Sequence, residues 1–174
     1  MSPLSYRIAM ISLILTTSTA VRAQHEHPNN PAMDKCPAHE SHMAALKERG
    51  ARAMGFDQDK TTHHFKLAPN GGAIEVEAND SNDTSSRDQI RHHLGMIREM
   101  FAAGDFSKPF EVHAQAPPGV EGMTRLRETI NYDFEATERG GRIRISTLNK
   151  EAVSAIHEFL RFQITDHKTG DSVK

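Results

Sequence analysis

Apolar and polar residues alternate in two stretches of this chain and recur every three to four positions in two others, and the two kinds of pattern follow one another twice. The first alternating stretch, 62–76, puts Phe65, Leu67, Ile74 and Val76 on one face of a hairpin. The second, 130–145, puts Tyr132, Phe134, Ile143 and Ile145 on the corresponding face 69 positions later, counting from Gly71 to Gly140. Each hairpin carries a glycine pair, Gly71-Gly72 and Gly140-Gly141, read here as the positive-φ residues of a tight turn. The period then changes to that of a helix. Ile90, Leu94, Ile97 and Phe101 form one stripe over 86–103, and Val153, Ile156, Leu160 and Ile164 form another from Lys150 to about His167. Phe159 and Phe162 give that last helix a second apolar face, which calls either for burial against an N-terminal helix or for a homodimer contact.

A ββα unit used twice predicts an α+β fold, a four-stranded antiparallel sheet with helices packed on one face, with two separate sheets as the alternative. The register between the repeated helices stays open, because matching Leu94 to Leu160 and matching His92 to His157 differ by one residue. Between the halves, Gly104-Asp105 reads as a helix stop and Phe110 to His113 as a short strand. Pro117-Pro118-Gly119 breaks the chain again, and Val120 to Glu128 reads as a short helix. The predicted domain spans 61–170 as two ββα halves, preceded over 24–60 by a mobile arm that includes a helix from Ala38 to Met54.

The first 23 residues read as a signal peptide. Arg7 is the positive n-region, Ile8 to Leu15 the apolar run, and Val21-Arg22-Ala23 offers the cleavage site. Thr16 to Thr19 interrupt the apolar run too early for a membrane anchor, so the mature chain is expected in the periplasm or secreted, without stable membrane insertion. Cleavage removes Arg7 and Arg22 from the 21 Lys+Arg, leaving 19 against 23 Asp+Glu, and moves the net charge from −2 to −4. With no concentrated basic face, nucleic acid is not an expected partner. The single cysteine, Cys36, leaves stability to packing and the thiol free for intermolecular pairing or a metal.

Histidine is the residue that points to chemistry. The chain holds 11, including the pairs His25/His27, His39/His42, His63/His64 and His92/His93, and imidazole is both the commonest metal ligand and the side chain that titrates near neutrality. On the first helix His93, Met96 and Met100 stack at i, i+3 and i+7 beside the core stripe, a soft donor set suited to Cu(I) or Ag(I). Core packing is the competing reading of those methionines. Strand alternation turns His63 inward with Phe65 and Leu67, and a buried imidazole needs a carboxylate, a carbonyl or a metal as partner. In the arm, Cys36-x-x-His39 can clamp one ion, and His39-x-x-His42 sets two rings on one helical face. His64, His92 and His113 receive no assigned role.

Cys36-Pro37-Ala38-His39 resembles the Cys-Pro-Met-His core of short heavy-metal-binding segments in bacterial copper-handling proteins, with Ala38 where that family has methionine. The mature domain is similar to an uncharacterised group of small exported bacterial proteins through His63-His64, Gly71-Gly72 and the Gly-Asp-Phe-x-x-Pro-Phe segment from Gly104 to Phe110. That resemblance implies export and a small domain, and no activity. Enzyme signatures are missing: there is no Gly-x-Ser-x-Gly elbow, phosphate-binding glycine loop, His-Glu-x-x-His helix or Cys-x-x-Cys-His haem site. A hydrolytic site would use Asp88 with His92, one turn away, or with His93. The residues therefore favour an exported transition-metal binder, copper first, for capture, storage or tolerance. Cys36, His39 and His42 would capture the ion, and His93, Met96 and Met100 would hold it with His63. Zinc or a noncovalent haem are the alternative cofactors. The competing class is a small-molecule-binding or protein-interaction module with structural or pH-responsive histidines.

Overall fold

Alternation and turn chemistry produce two hairpins, β1 (Thr61–Ala68) with β2 (Gly71–Ala78), and β3 (Ile130–Ala136) with β4 (Gly140–Thr147). In the computed structural model, which describes residues 37–174 and their side chains from residue 40, they join through β2 and β4 into one antiparallel sheet of order β1-β2-β4-β3. Two long helices cover one face, α2 (Thr84–Ala102) and α5 (Lys150–His167), as the apolar stripes require. The expected signal peptide 1–23 and the expected arm as far as Cys36 lie outside the described residues, and His39 is described as backbone alone.

The glycine pairs do not make the turns. Pro69-Asn70 turns the first hairpin, the pairs open β2 and β4, and of the four glycines only Gly71 has a positive φ, 142°. Space is what demands glycine. A Cβ on Gly71 would overlap the Ile145 carbonyl of β4, and one on Gly140 the Val76 carbonyl of β2. A Cβ on Gly72 would overlap Leu160 of α5, and one on Gly141 would stand 3.2 Å from Leu94 of α2. The pairs thus let the central strands meet and let each helix press onto the other half's hairpin: α2 lies chiefly over β3 and β4, α5 over β1 and β2.

That reciprocity fixes the repeat. Leu94 and Leu160 are equivalent, 66 positions apart, and the same step joins the N-caps Asp83 and Asn149. Both cap side chains accept first-turn N–H groups, Asp83 from Ser86 and Asn149 from Glu151 and Ala152, which leaves fewer orphan donors at each helix start. Gly104 and Gly170 follow the two helices at the same step with φ of 80° and 78°.

Phe110 to His113 is helical and not a strand. It belongs to α3 (Ser107–His113), begun where Asp105 accepts the Ser107 N–H at 2.8 Å and stabilised by burying Val112 and His113. Four residues carry too little alternation to specify a strand without a partner edge. The short helix in the middle runs over α4 (Val120–Arg125). The helix expected from Ala38 to Met54 is α1 (Pro37–Met54), which packs on α3 through Leu46, Ala53 and Val112, a small cluster separate from the main core. Phe159 is fully buried against Phe101 and Phe106, and Phe162 is half-buried against His113, so the second apolar face of α5 is met within the chain. Among the described residues no helix is long and apolar enough to cross a membrane.

Candidate functional site

A cavity of about 70 Å³ lies between the sheet, α2 and α5, roofed by Ala53 and Met54 of α1 and by Lys108, Pro109 and Val112 of α3. Its wall is apolar except for Lys108, Gln163 and three imidazoles: His63 from β1, His93 from α2 and His167 from α5. Strand alternation aims His63 inward, and the stripes of α2 and α5 carry His93 and His167 to the same place from opposite sides. The rings of His63 and His167 lie parallel, 6.1 Å apart between centroids. Phe56 meets His63 at 5.9 Å and His93 edge-on at 5.5 Å, while Phe65 lies 5.7 Å from His167.

All three rings are neutral at physiological pH. Burial, with His167, His93 and His64 nearby, pushes His63 down to about 3 from an ordinary 6.5. Burial lowers His93 to about 4, helped by Lys108 and His92. Burial also lowers His167 to about 4, helped by His113 and opposed by Asp166. Among the described residues no hydrogen bond reaches a ring nitrogen of any of the three. A neutral imidazole with a free lone pair is the state that ligates a metal or accepts a hydrogen bond from a ligand.

The internal repeat supplies the comparison that gives this cluster its meaning. Stepping 69 positions along the hairpins and 66 along the helices, the counterparts of His63, His93 and His167 are Tyr132, Phe159 and Phe101. Those three form a solid aromatic cluster, with Phe101 6.1 Å from Tyr132 and 5.8 Å from Phe159. The same backbone positions therefore carry Tyr132, Phe159 and Phe101 in one half and three histidines in the other, with Phe101 and Phe159 also reaching the cavity wall. Packing alone does not call for histidine there.

Among the other described histidines, His42, His64, His113 and His157 have hydrogen-bond partners. His157 Nε2–H donates to the hairpin carbonyls of Ala68 and Gly71, at 2.9 and 3.0 Å. His113 Nδ1–H donates to Asp166 at 2.6 Å, and His42 Nε2–H reaches the other carboxylate oxygen at 3.1 Å, so one aspartate of α5 joins α1 and α3. The second nitrogen of His113 is 3.0 Å from the Gln163 amide, which turns its NH2 toward a neutral ring or its carbonyl toward an imidazolium. Those two histidines hold the Asp166 carboxyl below the usual carboxylate range, against the opposing effect of burial.

The site residues expected from the sequence are thus only partly brought together. His63 and His93 share the cavity. Met96 and Met100 are not on its wall: Met96 is exposed in a surface groove beside His92 and His93, and Met100 is half-buried against the core. His42 is exposed and bound to Asp166, Cys36 lies outside the described residues, and so does the His39 side chain. Sequence reasoning missed His167 as a site residue, although its equivalence to Phe101 through the Leu94–Leu160 register marks it as the inward residue of the last helical turn. Among the described residues, no three His, Cys, Asp or Glu side chains stand close enough together to hold an ion as placed. No family model, curated protein or solved structure matches the chain.

Proposed function

We propose that this chain is an exported transition-metal-binding protein whose internal ligands are His63, His93 and His167, with Cys36, His39 and His42 as an outer capture segment. One observation carries the reading: three neutral imidazoles without hydrogen-bond partners surround one cavity, at positions that the repeat fills elsewhere with Tyr132, Phe159 and Phe101. The cavity has room for an ion and a few waters, since roughly 10–15 Å³ of such space holds one water. Bringing the nitrogens onto one ion requires rotation of the rings about their side-chain bonds into the void. An all-imidazole set suits Cu(II) or Zn(II), while the Cys36 thiolate suits softer Cu(I). Copper and zinc both accept imidazole and thiolate donors; copper is the ion we assign, for capture, storage or tolerance.

The test is metal stoichiometry and affinity of the chain from residue 24 onward, measured by elemental analysis and competition with a chelator. The His63→Tyr/His167→Phe double variant borrows the side chains of the sister half and should fold while losing the internal ion. A variant lacking Cys36, His39 and His42 should keep it. Equal affinity in the double variant and the wild type would sink the proposal. The mostly apolar wall favours a second reading, a small uncharged ligand hydrogen-bonded to the neutral rings. Ligand uptake by rigorously metal-free protein would select that reading.

A further inference from the structure

Both long helices are followed by Gly-Asp, Gly104-Asp105 and Gly170-Asp171, at equivalent places in the repeat, yet the two aspartates are used differently. Asp105 accepts the Ser107 N–H and starts α3. Asp171 turns back onto β1. One carboxylate oxygen lies 2.9 Å from His64 Nδ1, and the other accepts the Phe65 N–H at 2.9 Å and the Thr169 hydroxyl at 2.7 Å. Because β1 is an edge strand, that Phe65 N–H points away from the sheet and is available to the carboxylate.

The two residues gripped in this way directly follow His63. The segment that brings Asp171 to them begins at His167 and turns at once through Lys168, in the left-handed region at φ 52°. One carboxylate therefore ties the helix end that holds one imidazole to the strand segment that holds the other. The sister pair, Tyr132 and Phe101, keeps the same 6.1 Å separation with Asp105 committed to α3. Of that pair Tyr132 lies in the core away from the cavity wall, whereas His63 and His167 both border the void and lack contacts on one side.

We infer that Asp171 is a positioning residue that sets the separation and orientation of His63 and His167, acting through His64 and the Phe65 N–H and never touching the ligand. The inference rests on the metal-site reading above. Co(II) is the probe, because its visible absorption reports coordination geometry and separates a displaced ligand from a merely less stable fold. Asp171→Ala should bind Co(II) about 10- to 100-fold more weakly than the wild type, the range typical of outer-shell partners, with a changed spectrum. Asp171→Asn keeps an acceptor for the Phe65 N–H and should recover part of both.

Wild-type affinity and spectrum in Asp171→Ala would overturn the inference. Should alanine unfold the chain, the same comparison in Asp171→Asn and His64→Ala decides. Failure of the wild type to bind Co(II) would instead count against the metal reading. The positioning role is then judged on metal-free protein by NMR of the imidazole carbons of His63 and His167, where shifts between wild type and Asp171→Ala support it and identical spectra refute it.

Discussion

Acid should unfold this protein through the three cavity histidines before its carboxylates titrate. A ring neutral in the fold at about 3 or 4 but ordinary, at 6.5, in the unfolded chain contributes stability that is fully present above 6.5. That stability is lost as pH falls, because only the unfolded chain takes up the proton. At pH 5, about 1.5 units below the unfolded value, the loss is about 2 kcal/mol per ring, so at most about 6 kcal/mol for the three. Such a loss rivals the whole stability of a typical domain, about 5–15 kcal/mol. Asp166, Asp171 and Glu75 are held below the ordinary carboxylate range, so their contributions are lost only at lower pH. The window from pH 8 to 5 therefore isolates the imidazoles. Urea unfolding followed by circular dichroism at several pH values measures the effect, and the His63→Tyr/His167→Phe variant should retain only about one third of the pH dependence. A wild type whose stability is flat over that range, or a double variant that falls as steeply, would refute the claim that these rings are neutral in the fold.

Gly72→Ala should cost about 1–3 kcal/mol by overpacking, because the added methyl meets Leu160 and the Lys66 carbonyl; a thermal midpoint within a degree of wild type would contradict the tight approach of α5 to the sheet. The roof formed by α1 and α3 has its own small apolar cluster, so its amides should exchange with deuterium before those of β2 and β4, and Leu46→Ala should speed exchange in α1 and α3 alone. Uniform acceleration across the sheet would show the roof to be part of the main cooperative unit.

The hairpins, the two long helices and their repetition were legible because each rests on a period held over many residues. His63 facing inward followed from alternation alone. The glycine pairs were located correctly and explained wrongly. A turn needs glycine for its φ and a crowded sheet needs it for lack of a Cβ, and the sequence is the same in either case. Phe110 to His113 looked extended over four residues, and only packing against α1 decided for a helix.

The site divides in the same way. Local periodicity put His93 beside Met96 and Met100 on one helix, which is true of the helix but silent about what faces it. Which side chains share a cavity depends on contacts between β1, α2 and α5, elements far apart in the chain, and on a one-residue choice of register that the contacts of Gly72 with Leu160 and Gly141 with Leu94 settle. The sequence by itself determined a duplicated ββα chain, rich in imidazole, with His63 turned inward. The tertiary structure decided that His167 joins His63 and His93 while the methionines stay off the cavity wall, because side-chain period is a local property and convergence around a void is not.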